Sequence, residues 1–458
     1  MSLWTADALR AATGGSLAGN APVTGISIDT RTLAPGDLFV ALRDARDGHD
    51  FVAEALAAGA AAAMVDRDIP GLPADAPLLR VADTLAGLQA LGAAGRARCG
   101  GKVAAVTGSV GKTGTKEMLR LLLGSTGPTH AAIASYNNHW GVPLTLARMP
   151  ATSAYAVIEI GMNNPGEILP LARLAAPHAA AVTMIGEAHI GHMGGLEAVA
   201  DEKGSIAAGL VPGGTAVLPR DSAFFDRLSA IARAAGAARI IGFGRDPAAE
   251  IRLAEASILR DGRTRAMVVI RSRAVEVTMP AMGLHHAENA CCALALVEAL
   301  GQDAARAAPA LLAYAPGAGR GAAREVAVPG GTALLIDESY NAAPPAMRAA
   351  LQTLALRPGP RRVAVLGDMR ELGEFSAALH AGLASEAGKA DLVFCCGPEM
   401  ARLYALLPAA RRGAHAADSA ALAPLVKEAL RPGDVVLVKG ALGSRMALVV
   451  RALTESST

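Results

Sequence analysis

Aromatic side chains, cysteines and an excess of either charge are what this sequence lacks. Phe, Tyr and Trp make up 3% of 458 residues, and 43 basic against 41 acidic side chains leave a formal net charge of +2. Few stacking platforms and no long-range field argue against nucleic acid as a partner. The five cysteines, which include the adjacent pairs Cys291-Cys292 and Cys395-Cys396, form no CxxC spacing, so no disulfide framework is expected and the thiols read as buried, reduced, small hydrophobes. Hydrophobic residues reach 52%, but alanine dominates them and Gly, Pro and Arg interrupt them, so no run is long enough to cross a bilayer. The opening MSLWTADALRAATGG lacks the basic-then-apolar order of a secretory signal, and neither end carries a lipidation signature. The expectation is a cytoplasmic protein without membrane insertion. Nothing suggests a heptad interface, and a monomer is expected.

What is present is alternation of strand and helix patterns over a length too great for one core. Residues 1–98 read as a small α/β domain, with strands at Asp37 to Leu42 and Ala61 to Val65 around a helix near Asp50 to Ala58. GAAGRARCGGK, from Gly92, reads as a linker. Residues 99–317 follow as a central domain: strands Val103 to Val106, Ala156 to Ile160 and Ala180 to Ile185 alternate with helical segments, as in a doubly wound, mostly parallel sheet. A second joint, PGAGRGAARE from Pro316, precedes residues 318–458. There, strands at Ala333 to Ile336, Arg362 to Leu366, Asp391 to Cys395 and Asp434 to Val438 read as a Rossmann-like domain. The fold class is thus α/β in three domains.

The segment VAAVTGSVGKTGTKE has the order strand, glycine-rich turn, Lys-Thr, helix that a phosphate loop needs. Backbone N–H groups from Gly108, Ser109, Val110 and Gly111 to Gly114 would face an anion, Lys112 supplies a charge, and the Thr113 hydroxyl suits Mg²⁺. Val106 occupies the place of the usual first glycine, leaving a shorter TGxxGKT form. Such a loop points to ATP and leaves the reaction open. Glu159 sits at the carboxyl end of the apolar strand AVIEIGM, where it must be paired, solvated or bound to a cation. His189, just beyond strand AAAVTMI, is a second candidate ligand, whereas a structural salt bridge is the alternative for Glu159. Lys203 lies on a predicted helix, where an isolated lysine ordinarily is solvated. His192 and His286 read as surface or packing residues.

Taken together, SIDTRTLAPGDLFVAL with DGHDF, TGSVGKTGTKEM, SYNNHWGVPLTL, EIGMNNPGEI, IGEAHI with ADEKGSI, LIDESYNAAP, VLGDMRELG and LVKGALGSRM resemble, in order and over nearly the whole chain, the Mur ligases of peptidoglycan synthesis. The resemblance implies an N-terminal domain for a UDP-sugar, a central ATPase and a C-terminal domain for the incoming amine. It implies ATP-driven activation of a carboxylate as an acyl phosphate and attack by an amine. GMNNPGEI and SYNNHWGVP favour the member that joins D-alanyl-D-alanine to UDP-N-acetylmuramoyl-tripeptide. The resemblance further implies roles. Lys112 would hold the β- and γ-phosphates; Thr113, Glu159 and His189 would be magnesium positions; and Lys203 would be a lysine carbamylated by CO₂, which requires a desolvated setting and a lowered pKa. Arg320 would reach the nucleotide phosphates, with Asn289, Asp337, Tyr340 and Asn341 in the nucleotide site. Ser27, Thr30 and Arg31 would contact the uridine diphosphate, and Asn137 and Asn138 the substrate channel.

Three departures from the family pattern stand out: His286 where an adenine-contacting Asn is usual, Ala343 for the second Asn of NAN, and Ala441 for a common Ser. The alternatives are another Mur ligase, a folylpolyglutamate synthetase, or an ATP-gated regulatory protein without catalysis. PGDLFVAL and DGH argue against the folate enzyme. A nicotinamide dehydrogenase is weaker still, because the glycines from Gly317 to Gly321 precede a strand rather than follow one.

Overall fold

In the computed structural model, which describes residues 2–455, the chain builds three sheets, each packed with helices. The first has five strands in the order Ser16–Leu17, Leu78–Arg80, Ala62–Val65, Asp37–Val40 and Gly25–Ser27, all parallel except Ser16–Leu17. Asp37–Val40 and Ala62–Val65 are buried at every position, as strands covered on both faces must be.

The second sheet has nine strands: Arg273–Met279, Thr264–Ile270, Ile251–Ile258, Arg239–Gly244, Thr215–Pro219, Ala179–Val182, Lys102–Thr107, Tyr155–Glu159 and Thr129–Ala131. The seven from Ile251–Ile258 to Thr129–Ala131 pair in parallel. Helices Lys112–Gly124 and Leu284–Ala299 fill the core on one face. Helices Gly141–Ala147, Ile168–Ala175, Leu196–Gly204 and Phe225–Ala234 fill the other, which is the doubly wound arrangement. From Lys102–Thr107 the chain runs out to Thr129–Ala131, returns through Tyr155–Glu159, then crosses to Ala179–Val182 on the far side. The connections therefore leave Lys102–Thr107 in opposite directions, and the crevice at the carboxyl ends of these four strands is the usual ligand position of such sheets.

The third sheet runs Ala322–Val328, Gly331–Glu338, Val435–Lys439, Arg362–Gly367, Leu392–Cys396 and Arg412–Ala416, parallel except for the first strand. Apolar cores lie on both of its faces.

The sequence reading needs correction in two places. The expected linker from Gly92 is helical as far as Arg98, within Thr84–Arg98. Its glycines serve close packing instead of looseness: a methyl at Gly92 would stand 3.0 Å from Pro143 Cα, and one at Gly95 would overlap the Leu146 carbonyl, so the helix lies flat on Gly141–Ala147. The joint from Pro316 is also shorter than expected, because Ala322–Val328 already pairs with Gly331–Glu338.

The first two units are tightly joined. The Trp4 indole N–H donates to Ala147 C=O at 2.9 Å, the Arg98 guanidinium lies 3.7 Å above the Trp4 ring, and Arg98 donates to the carbonyls of Leu3 and Met149 at 2.6 and 2.9 Å. All five cysteines are free and buried. Among the described residues no helix is long and apolar enough to cross a membrane.

Candidate active site

Strand Lys102–Thr107 ends in the loop Gly108–Gly111, and helix Lys112–Gly124 begins at once. Two glycines are sterically required. Gly108 (φ 147°) leaves no room for a Cβ beside the Thr183 hydroxyl, and Gly111 (φ 86°) none beside the Asn289 side-chain oxygen. The loop is pinned from the neighbouring strand end: Ser109 N–H donates to Met184 C=O at 2.9 Å, Ser109 Oγ donates to Gly186 C=O at 2.8 Å, and Thr183 Oγ1 donates to Val110 C=O at 2.6 Å. Thr115 N–H bonds Gly111 C=O, so the N–H groups that precede it at the helix start stay open to an anion. Lys112 Nζ folds back to donate to Gly108 C=O at 2.7 Å. Burial lowers the Lys112 pKa, with the Glu159 carboxylate opposing and Arg320 adding to the shift.

Glu159, 2% exposed at the end of its strand, accepts from Asn137 Nδ2 at 2.7 Å and Thr113 Oγ1 at 3.1 Å through one oxygen. Its other oxygen is buried with no partner. A buried carboxylate half satisfied by a hydroxyl and an amide, and facing open space, fits a cation-binding role: the donor set is oxygen-rich, as magnesium requires. His189 starts a short helix in the left-handed conformation and brings its ring to the same cleft. Its Nδ1 lies 2.5 Å from Glu371 Oε2 of the third unit, and the imidazole in turn holds the Glu371 carboxyl below the usual carboxylate range.

Lys203 is the sharpest departure from its ordinary reading. It is fully buried, and its Nζ has no hydrogen-bond partner among the described residues. Desolvation pushes its pKa well down, and the nearby Lys112 charge adds to the fall. It does not line the cleft. A desolvated, unpartnered amine that holds its proton weakly is the setting that capture of CO₂ requires, so the residue fits the carbamate expectation.

The cleft itself has a volume of about 1060 Å³ and lies between the central and third units. Lys112, Thr113, Glu159, His189, Asn137, Asn138, Asn289, Arg320, Tyr340 and Asn341 all line it, as do Ser109, Val110, Gly111 and Gly114. Arg320 donates to Ser135 Oγ at 2.7 Å and stacks 4.1 Å from the Tyr340 ring, which orients its guanidinium. Asp337 does not line it: its carboxylate accepts from Ser339 N–H at 3.1 Å and Ser339 Oγ at 2.6 Å, closing its own turn. The neighbour Glu338 occupies the wall instead, bonded by Lys439 Nζ at 2.8 Å. Burial pushes Glu338 up, yet Lys439 and His285 together bring it below its ordinary value.

Ser27, Thr30 and Arg31 lie outside the cleft. Ser27 is buried and donates to Asp29 C=O at 2.9 Å, while the Arg31 guanidinium pairs with Asp29 and is largely exposed. A physical path joins them to it: Arg148 donates to Ile26 C=O at 2.6 Å, and Tyr136 and Trp140, flanking Asn137 and Asn138, pack against the first unit's core. His286 is buried, as a packing residue should be, but both ring nitrogens lack partners, and burial followed by the His285 charge drives its pKa well down. Lys439, Glu338 and Glu371 are not distinguished by the sequence pattern. Each stands beside a singled-out residue or within a singled-out segment, but its partners come from distant elements.

Family profiles described as Mur ligase family, catalytic domain, as Mur ligase middle domain, and as Mur ligase, glutamate ligase domain match residues 22–95, 106–297 and 325–442. The chain is 37% identical over 440 residues to the UDP-N-acetylmuramoyl-tripeptide--D-alanyl-D-alanine ligase of Escherichia coli (strain K12), covering 94% of each chain. Its fold superposes on the crystal structure of MurF from Acinetobacter baumannii with a TM-score of 0.85 at 30% identity, covering 99% of both chains. It is also similar to the MurF ligase from Thermotoga maritima in complex with ADP, with a TM-score of 0.78 at 26% identity over 94% of this chain and 96% of that one.

Proposed function

The chain belongs to the Mur ligase family, and from that premise we infer that it is the ATP-dependent ligase that joins D-alanyl-D-alanine to UDP-N-acetylmuramoyl-tripeptide in peptidoglycan synthesis. The observation that carries the reading is convergence. A loop with open N–H groups, a buried carboxylate with one unused oxygen, and an arginine within the second joint face a single cleft.

The chemistry follows from what a carboxylate lacks. It is anionic, and its leaving group would be oxide. In this reading a carboxylate oxygen of the tripeptide attacks the γ-phosphorus of ATP, the bond to the ADP oxygen breaks, and an acyl phosphate forms. The amine nitrogen of D-alanyl-D-alanine then attacks the acyl carbon, the carbon–oxygen bond to phosphate breaks, and the amine loses a proton. ADP, phosphate and the amide result. Lys112 and the N–H groups from Val110 to Gly114 hold the phosphate chain, and Arg320, fixed by Tyr340 and Ser135, lies against the charge that gathers during transfer. Magnesium, when bound by Thr113, Glu159, His189 and Lys203 as its carbamate, supplies neutralisation of that charge. Asn289, Tyr340 and Asn341 lie in the nucleotide site, and Asn137 and Asn138 line the route of the peptide. Residues 1–98, with Ser27, Thr30 and Arg31, take the UDP end; residues 99–317 take ATP; and residues 318–458 take the amine. We place the enzyme in the cytoplasm as a monomer.

Phosphate release tests this directly. It is expected only when the UDP-linked tripeptide and D-alanyl-D-alanine are both present, with the amide product seen by mass spectrometry. Release that ignores the UDP-peptide, or a preference for a single amino acid over the dipeptide in an amine panel, would return the assignment to another branch of the family.

A further inference from the structure

The segment His189–Gly191 belongs to the central unit by sequence but is held by the third. Ile190 is buried in a core it shares with Met369 and Leu372. Gly191 N–H donates to Glu371 C=O at 3.0 Å, and a Cβ on Gly191 would overlap the backbone of Leu372 and Gly373. The two backbones can pass this closely only because neither Gly191 nor Gly373 carries a side chain. At the meeting point His189 (φ 60°) and Glu371 (φ 63°) both hold left-handed conformations that side-chain-bearing residues seldom adopt. Such outliers persist only where the surroundings over-determine them. Here the outcome of both is the same, a 2.5 Å charge contact between Glu371 Oε2 and His189 Nδ1 on the wall of the cleft, close in distance but out of line for a hydrogen bond, so that Nδ1 has no other polar partner among the described residues.

A carboxylate on one ring nitrogen of a metal-binding histidine fixes its tautomer and rotation and leaves the other nitrogen to the cation. We propose that Glu371 is a positioning residue for the metal centre: by holding His189 Nδ1 it presents the remaining ring nitrogen toward the cation faced by Thr113 and Glu159, so that the centre is complete only while the third unit is seated. The proposal rests on the reading of the cleft as a magnesium-dependent ligase site. It differs from a simple latch. The Arg348–Glu187 ion pair at 3.2 Å also links the two units, yet involves none of the candidate metal ligands.

The test is Mn²⁺ affinity of the full-length enzyme saturated with ADP, read by electron paramagnetic resonance, for wild type, Glu371→Ala, Glu371→Gln, Arg348→Ala and His189→Ala, each checked for an unchanged melting temperature. Glu371→Ala is expected to weaken Mn²⁺ binding about tenfold or more, as loss of such a partner does elsewhere. Glu371→Gln, which keeps an acceptor on Nδ1, should recover most of the affinity, and Arg348→Ala should leave it unchanged. Wild-type affinity in Glu371→Ala overturns the proposal, and so does an equal loss in Arg348→Ala, which would mean that only domain seating matters. If His189→Ala itself binds Mn²⁺ like wild type, the metal reading of the cleft fails, and the role of Glu371 fails with it.

Discussion

Replacing Lys203 with methionine is a test of how the interior treats a lone amine. In the folded chain Nζ is fully buried without a partner and its pKa is depressed far below 10.5, chiefly by desolvation. The sign follows from linkage. Below the depressed folded value both states carry the proton, and the native state bears the whole cost of a buried ammonium. Between that value and 10.5 the unfolded chain binds a proton that the native one does not, so native stability rises with pH. The gain is about 1.4 kcal/mol per pH unit, and it ceases above the unfolded pKa. Methionine fills a similar volume with no charge, so Lys203→Met lacks this slope, while the titrations of groups not coupled to it, unlike that of Lys112, cancel in the difference. Urea unfolding of both proteins in CO₂-free buffer, followed by a probe in the central unit at several values between about pH 7.5 and about pH 9.5, gives that difference. Wild-type stability is expected to climb relative to the variant across this range. Added bicarbonate is expected to raise wild-type stability alone, because only a neutral amine adds CO₂. A difference that stays flat with pH would refute the reasoning, since it would mean that the lysine keeps its proton inside the fold.

Three further outcomes are expected. Gly111→Ala forces a methyl into a left-handed position against Asn289, a strain of about 1–2 kcal/mol, and should weaken ADP binding about tenfold by calorimetry. Arg320→Lys gives up the planar stack on Tyr340, so kcat should fall about a hundredfold while KM for the UDP-peptide stays within about twofold in steady-state assays. Gly95→Val drives a side chain into the Leu146 carbonyl and should cost about 1–3 kcal/mol, seen as a lower melting temperature with unchanged KM for ATP.

What could be read from the sequence was what is local. The loop Gly108–Thr113 was legible because strand, glycines, lysine and helix start follow one another along the chain, and Glu159 because a carboxylate in an apolar strand needs a reason. The antiparallel strands Ile251–Ile258, Thr264–Ile270 and Arg273–Met279 were not seen. Thr264–Ile270 does alternate in burial, but the turn into Arg273–Met279 is made by Arg271 and Ser272 at positive φ, without the Asn-Gly signature that marks such hairpins. Gly92 and Gly95 read as a linker because composition does not distinguish a glycine that frees the backbone from one that admits a neighbouring helix. The burial of Lys203, the turn-closing role of Asp337 and the reach of Glu371 to His189 all depend on pairings between elements far apart in the chain. Residues that line the cleft were therefore named from both sides, Lys112, Thr113 and Glu159 from the central unit and Arg320, Tyr340 and Asn341 from the third, whereas Glu338, Glu371 and Lys439 were not.

The flat seat of helix Thr84–Arg98 on Gly141–Ala147, with Arg98 stacked on the Trp4 ring, has a mechanical result. Two of the three units pack together as one anvil, whereas the third meets it along a seam that holds side-chain charges, the buried Ile190 and Met282 and a glycine crossing. Whatever rocks during turnover is the third unit. A wedge-shaped inhibitor would thus gain more by prying at the His189–Glu371 seam than by pressing on the first unit, which is packed flat against the second.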